Sequence, residues 1–405
     1  MNSQMHDVDV AIVGGGLVGA SLALALRDTP LKLLLIEAAV PPASAPSWDE
    51  RCIALNDGSR RIFDRLGLWS ELAGQAMPIR STHISERGRF GVARFTAEEA
   101  KLDALGHNTP LRVLGAALLS RAQAQGNLQW RCPARVRRLS VGADGAALQL
   151  DDGSTLSARL VVAADGASSA LRGLLGLSAE VRDYQQSALV TALRVQRDPA
   201  GVAYERFTPE GPFAVLPKPR LAGDVEVGHS CSLIWTLPTE RAETLQDLPD
   251  AEFLALAQAT FGERLGHFLM VGKRTRYPLQ RTVSETLTAP RVVFCGNAAQ
   301  SLHPVAAQGF NLGLRDVAAL ANRLADASAQ GRDVGEAALL GGYAEAREQD
   351  RRRTADFTDQ LVRLFSNRLP VVSQLRHLGL LAMDLMPPAR EAVLRQNLGH
   401  AGLAA

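Results

Sequence analysis

Cysteine is scarce in this chain: four among 405 residues (Cys52, Cys132, Cys231 and Cys295), scattered, with no C-x-x-C pair and no histidine immediately beside any of them. Zinc sites and disulfide frameworks both need clustered thiols, so neither is expected. The four read as small buried apolar side chains in a reducing compartment. An excess of either charge is also missing. Lys and Arg number 44 against 42 Asp and Glu, for a net charge of +2. That balance, with no basic stripe interleaved with aromatics, excludes a nucleic-acid partner. No stretch approaches the roughly 18 uncharged apolar residues that cross a bilayer. The opening MNSQMHDVDV has neither the basic start nor the apolar run of a secretory signal. The expected location is cytoplasmic, at most peripheral to the inner membrane. No metal-ligand spacing appears, and no G-x-S-x-G nucleophile elbow.

What is present is apolar substance, 46% hydrophobic residues in a length that suits two interlocked domains. Residues 7–37 read as strand, glycine-rich turn, helix and second strand, a βαβ unit that implies a parallel sheet with a right-handed crossover. A Pro/Ala/Ser-rich loop follows at 40–47. Residues 115–125 look helical. Residues 148–165 alternate as a hairpin around Asp151-Asp152-Gly153-Ser154 and then enter an apolar strand over 160–164. From about 184 to 235 the character changes to short alternating segments (188–195, 201–207, 232–237) separated by Pro and Gly turns, which predicts an antiparallel sheet. The first pattern resumes at 291–295, and a helix is predicted over about 311–325. Residues 342–401 read as amphipathic helices broken at Pro370, Pro387 and Pro388. Within them the charge run 347–353 reads as a solvated helix face.

The expected fold is therefore α/β. A Rossmann-like dinucleotide-binding domain is assembled from residues 1–75, 110–180 and 285–340. A substrate domain built on an antiparallel sheet is inserted at 76–109 and 181–284, and a helical region at 341–405 ends the chain.

Three blocks carry chemistry. Gly14-x-Gly16-x-x-Gly19 follows a strand and opens a helix. Gly14 permits the tight turn, Gly16 lets the backbone approach a pyrophosphate, and Gly19 allows close helix packing. The helix start offers free N–H groups to the phosphates. Glu37, at the end of the second strand, is placed to accept from ribose hydroxyls. In the second block the strand over 161–164 ends in Asp165-Gly166, on its own an ordinary turn. In the third, Phe294-Cys295-Gly296-Asn297-Ala298-Ala299-Gln300 leads through His303-Pro304 into Gln308-Gly309-Phe310-Asn311. Small residues there let a flat ring approach the backbone, and a helix beginning near Asn311 would aim its positive end at an anionic ring. His303 alone reads as a structural histidine as readily as a catalyst, Pro304 as a turn former, and Arg51 as a surface ion pair.

In this order the three blocks resemble the aromatic-hydroxylase flavoproteins typified by p-hydroxybenzoate hydroxylase. Asp165-Gly166 is similar to that family's second fingerprint, which serves both FAD and NAD(P)H. Gly296-Asn297 is similar to its Gly-Asp fingerprint, with Asn keeping a hydrogen-bonding oxygen but losing the charge. Arg51 is similar to the family's arginine near the flavin. The stretches 296–304 and 308–316 further resemble the ubiquinone-biosynthesis branch. Residues 83–88, 205–208, 211–217 and 388–390 resemble, within that branch, the hydroxylases of 2-polyprenyl-6-methoxyphenols. Ala307 in place of a common glycine and the 110–113 stretch depart from the pattern.

The resemblance implies FAD as cofactor and NAD(P)H as reductant. It also implies addition of O2 to give a flavin hydroperoxide that hydroxylates the ring of a polyprenyl phenol to the 1,4-benzoquinol. It implies cofactor contacts at Gly14, Gly16, Gly19, Glu37, Arg51, Asp165, Gly166, Gly296, Asn297, Gln308, Gly309 and Asn311. His303 and Pro304 would shape the ring pocket, with Tyr204, Phe207, Phe213, Leu216 and Pro217 as its opposite wall. The isoprenoid tail calls for an apolar tunnel or membrane-facing groove. Residues 369–386, rich in Leu, Val and Met, are a candidate for membrane contact, for docking into a biosynthetic complex, or for ordinary core. Three alternatives stay open: a sibling hydroxylase acting at another ring carbon, a flavin-dependent isoprenoid reductase, and an assembly subunit that binds FAD structurally.

Overall fold

The computed structural model describes residues 6–40, 51–221, 227–302, 308–366 and 387–400. Continuous apolar runs form its centre. Val8–Val13, Leu33–Ile36 and Val292–Phe294 carry hardly a polar side chain and are almost wholly buried. Such runs suit parallel strands covered on both faces, where each fully buried Val, Leu or Ile contributes about 1.5–3 kcal/mol. They join Thr155–Ala163 and Leu128–Arg131 in an eight-stranded sheet. Val8–Val13 lies parallel between Thr155–Ala163 and Leu33–Ile36 (Val13 opposite Ala163 and Ile36), and Val292–Phe294 extends the parallel set (Phe294 opposite Ala163). Because these strands run the same way, residues 14, 164 and 295 emerge together at one edge. The hairpin of Ala146–Leu150 with Thr155–Ala163 is present as expected.

The second sheet has nine strands. Its spine, Ala179–Val195, is a single strand of 17 residues rather than the short segment expected. It pairs antiparallel with His229–Pro238 and Thr275–Ser284. Pro212–Pro217 and Val202–Phe207 continue the sheet, and Val202–Phe207 then lies parallel to Ser81–Glu86, so the sheet is mixed at that end. Helices Thr239–Gln246 and Asp250–Phe261 cover one face with Leu245, Phe253 and Phe261 against Leu189, Phe213, Leu233 and Trp235. A three-stranded sheet of Cys52–Asn56, Met77–Ile79 and Gly106–Pro110 ties the two large sheets together. From it the buried Asn108 donates to the Pro217 carbonyl (2.9 Å) and to Ser232 Oγ (3.2 Å).

Two long helices, Gln308–Ala329 and Ala337–Ser366, pack against the first sheet. Their contact corrects the expectation of a solvated charge run at 347–353. Arg347, Asp350 and Arg351 are buried. Arg347 Nε donates to Asp316 Oδ1 at 2.8 Å, its Nη2 lies 2.7 Å from Asp350 Oδ2, and Arg315 Nε donates to Asp350 at 2.8 Å. The side chains of Arg347 and Asp316 are 2% and 0% exposed. Despite the burial, which opposes it, the Arg315 and Arg347 guanidiniums hold the Asp350 carboxyl below its ordinary range. The i, i+3, i+4 spacing of 347, 350, 351 and 354 places these groups on one helix face.

The last described helix, Pro387–Leu398, lays Val393, Leu394 and Leu398 against Phe95, Leu105 and Phe207. The Asn56 side chain donates to the Asn397 carbonyl (3.2 Å), and His400 lies 2.8 Å from Asp57. Residues 369–386, the candidate tail surface, lie outside the described residues. No helix among the described residues is long and apolar enough to cross a membrane. All four cysteines are free, but only Cys231 and Cys295 are buried, whereas Cys52 and Cys132 are half-buried. The expectation of four buried thiols therefore holds for two.

Removing one partner of a buried ion pair leaves the other charge uncompensated, at a cost of about 3–5 kcal/mol. Arg347→Ala is expected to lower unfolding stability by that order in urea titrations, and an exposed control such as Arg352→Ala by less than ~0.5 kcal/mol. Acid should weaken the fold by a separate route. Burial, with the charges of Arg264, Arg94 and Arg206, pushes His83 down to about 4, and burial and Arg60 do the same to His107. The unfolded chain takes up these protons near 6.5 and the folded one does not, so stability falls as pH drops from about 6.5 to 4. The urea midpoint measured across that window should be flatter in the His83→Asn/His107→Asn double variant than in the native chain.

Candidate active site

The Val8–Val13 strand turns through Gly14 at φ +106° into helix Leu17–Ala25. A β-carbon on Gly14 would strike the Ala164 carbonyl, and one on Gly19 would strike the Gly14 carbonyl. At Gly16 a β-carbon would meet nothing within 4 Å, so open space lies over the helix start, where the first N–H groups have no intrahelical partner. Glu37 steadies this loop: its Oε2 accepts from Gly15 N–H (2.6 Å) and its Oε1 from Ala39 N–H (2.7 Å). Each carboxylate oxygen keeps lone-pair capacity for a ribose hydroxyl.

The other two blocks arrive at the same sheet edge. Asp165 Oδ2 accepts from Leu171 N–H (3.1 Å), while its buried Oδ1 has no partner among the described residues, and Gly166 turns at φ +87°. Gly296, at φ +59°, has no room for a side chain, because a β-carbon would press on Val18 at 2.8 Å. Its N–H donates to Asp316 Oδ2 (3.2 Å), which also accepts from Gln300 Nε2 (2.8 Å). Arg351 donates to Gln300 Oε1 and to the Ala299 carbonyl. The buried ions of the long helices thus hold residues 296–300 in place. Asn297 is exposed within this otherwise buried stretch. Burial pushes the Cys295 thiol up to about 12, so it is inert at this point.

Helix Gln308–Ala329 begins against the loop, with Gly313 facing the Gly296 Cα. Gln308 is buried, with no partner for its Oε1 among the described residues, and Gly309 has open space where a side chain would be. Asn311 departs from expectation. Its Oδ1 accepts from Asn56 N–H (3.1 Å) and Ser59 Oγ (2.6 Å), and its Nδ2 donates to the Ala54 carbonyl (3.0 Å). That side chain locks the Cys52–Asn56 strand to the helix and is committed to the fold. His303 and Pro304 lie outside the described residues. Three crowded glycines, open space at Gly16 and Gly309, and the orphaned oxygens of Asp165 and Gln308 fit a dinucleotide carrying a flat ring. They belong to an elongated ligand running from Glu37 past Gly16 to Asn297.

Beside this edge a cavity of about 450 Å³ separates Arg51, Cys52, Leu111 and Arg112 from Val190, Ser232, Ile234 and Tyr277 of the second sheet. Arg51 is exposed there, with its guanidinium 5.1 Å from the centre of the Tyr277 ring. Lys273 adds a third cation to the lining. Strand parity decides which side chains face this space. Ala214 and Leu216 pair with Ile234 and Ser232 and share their face. Phe213 and Pro217 pair with Trp235 and Cys231 on the helix-covered face, and Tyr204 stands edge-on to Phe261 at 5.5 Å. Tyr204, Phe213 and Pro217 are therefore removed from the expected wall. Phe207 is buried beneath the C-terminal helix beside Phe95 and Leu398. Of the five expected wall residues, Leu216 shares the face of the cavity-lining Ser232 and Ile234. Asn108, Ser232, Lys273 and Asp316 escaped the sequence reading. Arg315-Asp316, two charges within the apolar stretch 312–320, was the available signal for Asp316.

Comparison with known proteins agrees with this geometry. A family described as FAD binding domain matches residues 7–358. The chain is 37% identical over 392 residues to the ubiquinone hydroxylase UbiL of Rhodospirillum rubrum, covering 96% of this chain and 89% of that one. It is 32% identical over 395 residues to the 3-demethoxyubiquinol 3-hydroxylase of Escherichia coli, covering 96% and 98%. Among solved structures, p-nitrophenol 4-monooxygenase PnpA from Pseudomonas putida superposes with a TM-score of 0.79 over 98% of this chain and 99% of its own, at 18% identity, a likeness of fold. A strand edge that fits FAD, on a chain matched almost end to end by ubiquinone hydroxylases, places this protein in the family of FAD-dependent aromatic-ring hydroxylases of ubiquinone biosynthesis.

Proposed function

We propose that the protein hydroxylates the ring of a 2-polyprenyl-6-methoxyphenol to the 1,4-benzoquinol, with NAD(P)H as reductant and O2 as oxidant. The observation that carries this reading is the cavity beside the dinucleotide edge, walled by Val190 and Ile234 with Leu216 on the same face. That wall suits an apolar, flat, electron-rich ring. The sequence stretches 83–88, 205–208, 211–217 and 388–390 favour the methoxyphenol. A specific second reading, hydroxylation at another carbon of the ring, is favoured by the likeness to the Escherichia coli 3-hydroxylase.

The division of labour follows from the two large sheets. Residues 1–75, 110–180 and 285–340 would bind FAD, residues 76–109 and 181–284 would bind the phenol, and 341–405 would buttress both. Bound FAD, once reduced, activates O2 and supplies one oxygen atom to the ring. The chain's own residues do the rest. Gly14, Gly16 and Gly19 admit the pyrophosphate to the helix start, and Glu37 accepts from the ribose. Gly166 and the free oxygen of Asp165 meet the middle of the cofactor. Gly296, Asn297, Gln308, Gly309 and the N–H of Asn311 meet the ring end, and Arg51 closes the cavity against Tyr277. His303 and Pro304 would stand between ring and substrate and exclude water, since a wet site releases peroxide instead of product. Phenol and O2 are the small-molecule partners. A peripheral membrane contact or a biosynthetic complex would deliver the tail, each buried methylene contributing about 0.8 kcal/mol.

An aerobic assay with a short-tailed 2-prenyl-6-methoxyphenol, NAD(P)H and labelled O2 checks the reading. One labelled oxygen at the carbon para to the phenol hydroxyl is expected. Label at another carbon would favour the sibling reaction, and turnover without O2 would point to a reductase. In the same assay His303→Ala is expected to raise hydrogen peroxide release per NAD(P)H consumed several-fold, and unchanged coupling would remove His303 from the site.

A further inference from the structure

The hairpin of Ser81–Glu86 and Val92–Thr96 forms the outer end of the second sheet, and its turn carries Phe90 at 99% exposure. Two rows of paired residues lie behind that turn. Arg206 stands opposite Ser85, which faces Val92, and Tyr204 stands opposite His83, which faces Arg94. Side chains opposite one another in a sheet share a face, and so do those two apart on one strand. Arg206 and Arg94 therefore lie on one side. The Arg206 guanidinium extends to the end of helix Asp250–Phe261, where a β-carbon on Gly262 would lie 4.0 Å from its Nη1. Arg264 follows two residues later, and Arg87 and Arg89 flank Gly88 in the turn itself. Glu86 pairs with Phe207 and Glu205 with Ile84, out of phase with these rows, so both carboxylates point to the other face.

Exposed arginines elsewhere on this chain take a carboxylate: Arg61 pairs with Asp57, Arg121 with Glu71, Arg352 with Glu348 and Arg395 with Glu391. Arg87, Arg94, Arg206 and Arg264 make no ion pair among the described residues, and neither does Glu263 beside Arg264. Arg206 Nε and His83 Nε2 are buried without a hydrogen-bond partner among the described residues. The charges act on one another. Burial, with Arg264 and Arg87, holds Arg206 below its ordinary range, and burial with Arg264, Arg94 and Arg206 pushes His83 down to about 4. On a chain whose net charge is only +2, this is a local excess of one sign. Such a surface attracts an anionic counterpart. A single exposed ring is ordinary on a protein surface, but here it projects from among these charges.

We propose that this hairpin docks the protein on an anionic bilayer surface, with Phe90 entering the headgroup layer and Arg87, Arg94 and Arg264 meeting lipid phosphates. The guanidinium fork matches a phosphate with two parallel hydrogen bonds. An apolar side chain sunk at the headgroup boundary beside basic residues is the usual composition of an interfacial contact. The single projecting ring favours lipid over an acidic protein. A folded partner needs a recess shaped for that ring, whereas a bilayer receives it at any point of its surface. None of these residues lines the cavity beside the dinucleotide edge, so the inference goes beyond the hydroxylase reading and stands without it.

The test is flotation of FAD-loaded protein with vesicles of phosphatidylcholine alone, or of phosphatidylcholine and phosphatidylglycerol in equal parts. Native protein is expected to float with the anionic vesicles and not with the neutral ones. Added salt should release it, because exposed charges are screened. Arg94→Gln/Arg264→Gln should weaken binding by about 25-fold, roughly fivefold for each charge near the surface. Phe90→Ser should weaken it by about fivefold or more. Arg352→Gln/Arg395→Gln removes the same net charge elsewhere and should leave binding unchanged, and flavin absorbance should show FAD retained in every variant. Native protein that ignores anionic vesicles overturns the proposal. So does binding that Phe90→Ser and Arg94→Gln/Arg264→Gln leave untouched, or that both arginine pairs weaken equally. Retention on immobilised polyglutamate without binding to vesicles overturns it in favour of an acidic protein partner.

Discussion

A carboxylate with no access to water, Asp316, sets the geometry on which the site depends. One of its oxygens accepts from Arg347, and the other accepts from the Gly296 N–H and the Gln300 amide. Buried ion pairs rarely add net stability over an apolar core, because desolvating the charges costs about as much as their attraction returns. Their value is directional. Here one anion fixes the turn of residues 296–300, and the paired Arg347, Asp350 and Arg315 fix the two long helices behind it. The loop that fits the ring end of the cofactor is therefore positioned by a helix carboxylate 16 to 20 residues farther along the chain, itself held by Arg347.

The opposite wall is rigid for a different reason. The second sheet is clamped from behind by an aromatic cluster, with Phe213 and Trp235 at 4.9 Å and Tyr204 and Phe261 at 5.5 Å. That packing turns the larger side chains away from the cavity and leaves Ala214, Leu216 and Ile234 on the working face. Asn108 pins the edge of this wall to the small bridging sheet through Pro217 and Ser232. Two rigid surfaces thus face each other across a cavity, one shaped for FAD and one that sets Val190 and Ile234 beside Ser232, Lys273 and Thr275. Such a space limits water, which oxygen chemistry on a reduced flavin requires.

The cofactor half of this arrangement was legible in the sequence because it is local. Strand, three glycines, helix and acid fall within residues 8–37; Gly14 and Gly19 each answer a close approach visible in the structure, and Gly16 faces open space. The substrate half was less legible. Strand parity can be read from 202–217, but which parity faces the cavity depends on helices 239–246 and 250–261, farther along the chain. Tyr204 and Phe213 were therefore assigned to the wrong face. The charge at 347–353 was misread because burial of an arginine is decided by its partner, and Asp316 is distant in sequence. Asn311 stands in the first turn of the Gln308–Ala329 helix, where its side chain serves the fold.

The central claim is that the substrate ring lies between the flavin edge at residues 296–311 and the sheet wall of Val190, Ser232 and Ile234. A crystal structure of the protein with FAD and a short-tailed 2-prenyl-6-methoxyphenol tests it most directly. The expected result is a pyrophosphate over Gly16, a flavin ring against Asn297 and Gly309, and the phenol ring against Val190 and Ile234. A phenol bound on the helix-covered face near Tyr204 and Phe213, or a flavin ring away from residues 296–311, would contradict it.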